Sequence, residues 1–225
     1  ISGTMLVTVV AMALALPLGL VTAVYMSEYA PRRLRSILKP TLEVLAGIPT
    51  VVYGFFALTV ITPALKMFHE GFNIYKAFSA GIAVGILCLP TVSSLAEDAL
   101  QAVPRSLREA AYALGATKFD VSVKVVLPAA LSGIVSAFLL AIARAIGETM
   151  IVALAAGGMP RLTIDAREEA QTMTSFMVQM ALGDVSNFGP EYSSMYAVAA
   201  TLFLMTFTLT VIGGQVRRRF REAYT

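Results

Sequence analysis

Apolar residues run without a single charge through 1–27, 44–65, 77–96 and 192–216, and a fifth run, 125–160, is interrupted only by Arg144 and Glu148. A helix crossing a bilayer takes roughly 20 mainly apolar residues, so each run predicts one span. The pattern therefore predicts an all-α polytopic membrane protein with five transmembrane helices, forming a single domain over residues 1–225. Polar residues gather in two insertions, 97–128 and about 158–191, and the other connections are short.

Composition agrees with that reading. Of 225 residues 57% are hydrophobic and 14% charged, and tryptophan is absent, which excludes an ordinary soluble domain of this size. The single cysteine, Cys88, falls within the third run, so an intrachain disulfide and a cysteine metal cluster are excluded. Its expected role is that of a small buried apolar residue. His69, the one histidine, is expected to be solvated in a short outward loop, and no metal-ligating cluster is evident.

Charge placement orients the chain, because Lys and Arg accumulate in short cytoplasmic loops. Arg32, Arg33, Arg35 and Lys39 follow the first run, Arg105, Arg108, Lys118 and Lys124 lie between the third and fourth, and Arg217, Arg218, Arg219 and Arg221 follow the fifth. Those three segments are expected inside. The segment with Lys66 and Lys76 is expected outside, as is the one where Arg161 and Arg167 face Asp165, Glu168, Glu169, Asp184 and Glu191. Five spans in that alternation put the N-terminus outside and the C-terminus in the cytoplasm, with a further span expected before Ile1. No basic region precedes residues 1–27, so the first run is expected to be a retained span rather than a signal peptide.

The inward insertion has the clearer local grammar, over about 104–128. Pro104 precedes Ser106, and Ser106 with Glu109 has the S-x-x-E spacing of a capping box, predicting a helix start. Leu107, Ala110, Ala111 and Leu114 then recur on one face, with Arg105, Arg108 and Tyr112 largely on the other. Gly115 is placed to stop that helix in a left-handed conformation. Thr117 with Asp120 begins a second helix running to Pro128, which makes a small helix–turn–helix with an exposed apolar face. The outward insertion opens with Gly157, Gly158 and Pro160, and its run from Thr172 to Leu182 reads as a packed external loop or a short interfacial helix.

In this insertion the chain resembles the permease subunits of binding-protein-dependent (type I) ABC importers, whose signature is E-A-A-x3-G-x9-I-x-L-P. Glu109, Ala110, Ala111, Gly115, Leu127 and Pro128 fall in register, with Val125 in place of the preferred isoleucine. The resemblance implies that Ser106 to Lys118 is the coupling helix, which docks on a cytoplasmic ATPase subunit. Glu109 is explained equally by its capping role and by contact with that ATPase. A capped surface helix pair without a partner is the plainer alternative.

Across the rest of the chain the resemblance is to phosphate permeases of the PstC type. The stretches that carry it are Gly47-Ile48-Pro49-Thr50-Val51-Val52-Tyr53-Gly54, Ala143-Arg144-Ala145-Ile146-Gly147-Glu148-Thr149 and Arg219-Phe220-Arg221-Glu222-Ala223-Tyr224, with Ala181-Leu182-Gly183-Asp184 in the outward loop. The second of these is shared with PstA-type permeases. The resemblance implies a PstA-like second permease subunit, a PstB-like ATPase dimer holding ATP and magnesium, and a PstS-like external phosphate-binding protein. It also implies the bacterial inner membrane as location and alternating access as mechanism. The chain has no P-loop, so ATP hydrolysis is expected on the partners rather than here. No cofactor and no nucleic acid is expected to bind this chain.

The fourth run is expected to cross as one helix, Leu131 to Gly157, with Arg144 near its middle. An isolated charge there costs at least about 2.5 to 3.5 kcal/mol. Glu148, one turn later, is expected to pair with it at i, i+4. Either this is an internal ion pair fixing the helix in its bundle, or Arg144 faces the substrate and offers a planar fork to two oxyanion oxygens. Glu148 then either holds Arg144 when no anion is present or accepts a hydrogen bond from the proton that phosphate keeps and sulfate lacks. Thr50, Tyr53 and Thr149 are further candidate donors to an anion, although membrane helices also spend hydroxyls on their own backbone. Gly133, Ala137, Ala141 and Ala145 repeat every four residues and predict close helix packing. The rival readings are a permease for another oxyanion and an ion-coupled secondary transporter. An intramembrane hydrolase is disfavoured, since neither H-E-x-x-H nor G-x-S-x-G occurs.

Overall fold

Among the described residues every regular element is helical, in a computed structural model that describes residues 1–68, 76–183 and 189–219. His69, Asp184 and the ending from Phe220 to Tyr224, with Arg221, lie outside the described residues. In chain order the helices are α1 (Ser2–Val24), α2 (Arg32–Gly47), α3 (Thr50–Phe56), α4 (Thr62–Phe68), α5 (Ala77–Gln101) and α6 (Arg105–Ala113). They continue with α7 (Lys118–Asp120), α8 (Leu127–Ala129), α9 (Leu131–Ile146), α10 (Met150–Ala155), α11 (Met173–Leu182) and α12 (Pro190–Arg219). Wider π-type turns extend α1 over Tyr25–Tyr29, join α3 to α4 over Ala57–Ile61 and join α7 to α8 over Val121–Val126. The second of these has a visible cause. Pro63 has no N–H to donate, the Thr62 N–H reaches back to Ala57 O, and the Thr62 hydroxyl adds a 2.9 Å bond to the same carbonyl.

Four helical runs are long and apolar enough to span a bilayer: Ser2–Tyr29, Thr50–Met67, Ala77–Gln101 and Tyr192–Gln215. The fifth predicted span departs from expectation. In place of one helix from Leu131 to Gly157, the chain forms a pair, Lys118–Ala129 and Leu131–Ile146, bent by 69°, and breaks again at Gly147–Thr149 before α10.

The centre of the bundle is α1 laid along α5, an approach that large side chains would forbid. A Cβ on Gly19 would stand 2.6 Å from Val92, one on Gly81 would stand 2.6 Å from Val10, and one on Gly85 would lie 2.9 Å from the Ala11 carbonyl. Lipid gives helices no hydrophobic reason to associate, so such close backbone packing supplies the attraction. The small-residue stripe of α9 behaves as expected: Ala137, Ala141 and Ala145 are buried, and a Cβ on Gly133 would meet Ala99 at 2.4 Å. Cys88 is fully buried against the Ala141 carbonyl.

The two polar insertions sit at opposite ends of α1 and α5. Residues of the 158–172 segment stitch the beginnings of both helices: Ser2 Oγ donates to Thr163 O, the Ala77 amide to Glu168 O and the Phe78 amide to Ala166 O. The run from Thr172 is a helix, capped by the Thr172 hydroxyl on the Ser175 amide and anchored where the Met173 amide donates to Thr4 Oγ1. Its start is packed into the protein, with Met173, Thr174 and Ser175 buried, while Leu182 at its end is exposed. The other insertion, α6 to α8, lies where α1 and α5 end. By contrast, no residue in the apolar window of α12 is buried, and Phe203, Leu204 and Phe207 are exposed.

Replacing Gly133 by leucine is expected to lower the unfolding free energy by about 1 to 3 kcal/mol through overpacking against Ala99. Thermal unfolding in detergent measures it, and an unchanged midpoint would mean that α9 does not depend on this contact.

Candidate functional site

Arg144 lies in the last turn of α9, half-buried, two residues before the helix ends. Its Nη1 donates to the Thr91 hydroxyl of α5 at 3.0 Å. Among the described residues no carboxylate stands within ion-pair distance of the guanidinium. The expected i, i+4 pair with Glu148 is therefore not formed. The reason is the break: helical spacing ends at Ile146, so Glu148 is carried off the face that Arg144 occupies.

Glu148 is instead buried as the cap of α10. Its Oε1 accepts the amides of Met150 at 3.1 Å and Ile151 at 3.3 Å, satisfying two donors that the start of a helix leaves unpaired. Its backbone carbonyl accepts the Thr174 hydroxyl from α11 at 2.7 Å, so the break is tied to the outward insertion. Thr149 turns its hydroxyl back to Gly147 O at 3.2 Å. It lines an apolar groove of about 340 Å³ with Gly147, Thr174, Met177, Val178 and Leu202.

The Gly47–Gly54 stretch shapes the joint between α2 and α3. Pro49 precedes the first helical residue, Thr50, which is partly exposed. Tyr53 is buried and its hydroxyl donates to Leu45 O at 2.7 Å, so its single donor holds the α2–α3 corner and is not left for an anion. Gly54 lets α10 approach: a Cβ there would stand 2.8 Å from Leu154 and 3.2 Å from the Ile151 backbone. Thus α3, α9, α10 and α5 converge around the break. Arg144, Glu148 and Thr149 lie around it, and Thr50 starts the helix on which α10 packs.

The α6–α8 insertion confirms half of its predicted grammar. Gly115 has φ +82°, the Ala116 amide reaches Ala111 O and the Gly115 amide Tyr112 O, the paired bonds of a Schellman ending. Thr117 caps the next helix by accepting the Asp120 amide at 3.2 Å. The Ser106–Glu109 capping box, however, is not made. Arg105 is already helical, Pro104 holds the cap position with extended backbone, and Ser106 and Glu109 are exposed on the first turns.

The facing of α6 also differs. Leu107 and Ala111 pack inward with Ala116 and Leu127, whereas Ala110, Tyr112, Leu114 and Phe119 remain exposed, Leu114 by 90%. Arg108, expected outward, turns inward and is half-buried. Its Nη1 donates to Val103 O at 2.6 Å, and its Nη2 to Leu100 O at 2.8 Å and to Glu28 Oε1 at 3.0 Å.

A second buried carboxylate, Glu97, ends the third span. Its Oε1 pairs with Arg35 at 2.7 Å and accepts Gln101 Nε2 at 2.6 Å, and its Oε2 faces Lys39 at 3.3 Å without hydrogen-bond alignment. The hydrogen bond from Lys39 to Asp98 holds that ammonium above its ordinary pKa, and Glu97 adds to the effect. Sequence reasoning missed Glu28, Glu97 and Thr91. A signal for the first two was present, since each is the first carboxylate to follow a long uncharged run. At the other end, Lys76, Arg161, Asp165, Arg167, Glu168 and Glu169 line a polar cavity of about 420 Å³ remote from Arg144. There the Arg167 guanidinium holds the Asp165 carboxyl below the usual range.

Residues 15–222 match the family described as binding-protein-dependent transport system inner membrane component. A probable ABC transporter permease protein YqgH of Bacillus subtilis (strain 168) is 34% identical over 212 residues, 94% of this chain and 68% of its own. The phosphate transport system permease protein PstC of Mesorhizobium japonicum is 32% identical, covering 94% of this chain and 70% of its own. PstA 1 of Mycobacterium tuberculosis (strain H37Rv) is 34% identical, with coverage of 96% and 67%. Among solved structures, an inward-facing MetNI methionine ABC transporter superposes with a TM-score of 0.76 at 20% identity, covering 98% of this chain and 94% of that one. A bacterial alginate ABC transporter gives 0.71 at 14%, with coverage of 97% and 77%. At such identities the likeness is one of fold.

Because Glu148 serves α10 as a cap, Glu148→Ala is expected to cost about 1 to 2 kcal/mol of stability, while Glu148→Gln, which keeps an acceptor oxygen, costs less than half of that. Unfolding midpoints compare them; equal losses would show that the carboxylate oxygen is not what holds the break.

Proposed function

The chain belongs to the family of binding-protein-dependent transport system inner membrane components, and from that premise we propose that it carries inorganic phosphate inward as the PstC-type membrane subunit of an ATP-driven importer. The family makes it a multi-pass ABC importer permease of the inner membrane. Phosphate is the finer claim. It is supported by relatives named as PstC and PstA permeases over most of the chain, and by the chemistry of one residue.

That residue is Arg144. A guanidinium among apolar helices, hydrogen-bonded to a neutral hydroxyl and without a carboxylate partner among the described residues, is a counter-charge awaiting an anion. Phosphate carries between about one and two negative charges near neutral pH, and the guanidinium fork matches two of its oxygens. The Thr91 hydroxyl is weakly held in comparison and yields readily to a charged acceptor. Glu148 keeps its Oε2 free of hydrogen bonds among the described residues, so it accepts a hydrogen bond from the proton that phosphate retains. Sulfate has no such proton and is repelled. The partly exposed Thr50, at the start of α3, supplies a further hydroxyl, while that of Thr149 must first leave the Gly147 carbonyl.

In this reading the end bearing α2 and α6 is cytoplasmic and the 158–191 end faces outward, with the N-terminus of this chain outside. The exposed Ala110, Tyr112, Leu114 and Phe119 dock on a PstB-like ATPase dimer, which binds ATP and magnesium. Ser106, Glu109 and Gly115 belong to that contact region, while Leu127 and Pro128 build the returning helix beneath it. A PstA-like subunit completes the pathway, and a PstS-like protein delivers phosphate from outside.

Phosphate uptake by the reconstituted complex is expected to fall at least tenfold in Arg144→Gln, with Arg144→Lys intermediate and assembly intact. Uptake at the wild-type level in Arg144→Gln would remove the residue from the pathway. Sulfate is expected to become a competitor in Glu148→Gln, and unchanged selectivity would strip Glu148 of its discriminating role.

A further inference from the structure

Two loops that the chain holds at one end of the bundle are each fastened to a span by a buried carboxylate, and one of these fastenings does more than hold. Glu28 closes α1, where its Oε1 accepts from the Ser27 hydroxyl at 3.2 Å and from Arg108 Nη2 at 3.0 Å. The same guanidinium donates to Leu100 O, in the last turn of α5, and to Val103 O in the connection that follows it. One side chain of α6 thus joins the ends of the two helices whose packing forms the centre of the bundle.

We propose that Arg108, bound to Glu28 and to the Leu100 carbonyl in the last turn of α5, is the positioning residue through which displacement of α6 is passed into α1 and α5. The proposal rests on α6 being the element that meets the ATPase. The rest of α6 is poorly suited to transmit force. Leu107 and Ala111 make apolar contacts that permit sliding, and the helix buries no residue completely. The connection back to α9 passes through a bend of 69°, and a bend absorbs displacement by changing its angle. Arg108 differs on both counts. Two of its acceptors, Glu28 and Leu100, belong to two different helices, and the guanidinium is planar, so a shift of α6 either carries both helix ends with it or breaks charge-assisted bonds in a half-buried setting. A cation–π contact of Lys118 over the Tyr29 ring, 5.0 Å from its centroid, ties the following turn to the same end of α1.

The neighbouring cluster plays a different part. Glu97 with Arg35 and Lys39 anchors α2 to α5, but none of these residues lies on α6, so it braces the joint leading to α3 and does not receive the displacement.

The complete complex, reconstituted with its ATPase, permease partner and binding protein, tests this in Arg108→Gln, Arg108→Lys and Glu28→Gln. Two readouts are needed: phosphate carried per ATP hydrolysed, and the response to ATP of a spin label at Arg105→Cys at the exposed start of α6 or at Val21→Cys on the exposed face of α1, each in a Cys88→Ala background. In Arg108→Gln, ATP hydrolysis is expected to stay within twofold of wild type and the α6 label to respond, while the α1 label goes silent and transport per ATP falls at least tenfold. Glu28→Gln and Arg108→Lys are expected to give intermediate coupling, because each keeps part of the link. An α1 label that responds to ATP in Arg108→Gln as in wild type would overturn the proposal. So would loss of assembly in all three variants, since that outcome makes the link purely structural. The label response requires no phosphate. A wild-type complex with responsive labels but no phosphate uptake would therefore count against the substrate reading alone, and the α1 label in Arg108→Gln would still decide this link.

Discussion

A positive charge held among apolar helices, with no negative partner among the described residues, is the constraint on which the rest of the site depends. Arg144 could have been neutralised cheaply by an acidic residue one turn away, and the sequence supplies one at that spacing. The backbone prevents the pairing by ending α9 at Ile146 and turning Glu148 onto the start of α10. The carboxylate is occupied in building the break, and the guanidinium is left with a neutral hydroxyl. Under the proposed phosphate reading, the cargo brings the charge that this arrangement leaves missing.

The surrounding architecture holds that arrangement. Small residues on α1, α5 and α9 bring backbones close enough to fix α9 against α5, which sets Arg144 opposite Thr91. Gly54 admits α10 against α3, and Tyr53 locks the corner from which α3 departs. The hydroxyl of Thr174 reaches the carbonyl of Glu148 from the outward insertion, so the break is tied to the end of the molecule opposite α6. The site is thereby linked to one end through α11 and to the other through α5.

Much of this was legible in the chain. Uncharged runs of span length identified the membrane helices because lipid tolerates little else, and Gly115 and Thr117 announced their turn because both conformations have steep residue preferences. The repeat of Gly133, Ala137, Ala141 and Ala145 foretold close packing, which depends on side-chain size alone. The break at Gly147–Thr149 was hidden. An apolar sequence with one glycine reads equally as a continuous helix, and only the tertiary fit of α10 against α3 shows that Glu148 caps rather than pairs. Facing was hidden on α6 for a related reason. The apolar pattern placed Arg108 outward, whereas the Leu100 carbonyl at the end of α5 and the carboxylate of Glu28 draw it inward. Amphipathic periodicity counts apolar area and does not see a polar receptor waiting on another helix.

The central claim is that position 144 lies on an aqueous route that opens to one side and then the other. The most direct measurement is the reaction of Arg144→Cys, with Cys88→Ala, toward a membrane-impermeant thiol reagent applied from each face of reconstituted vesicles containing the whole complex, with and without ATP. The account predicts labelling from one face in the absence of ATP and from the opposite face when ATP is bound. A thiol at position 144 that reacts from neither face in either condition would contradict it.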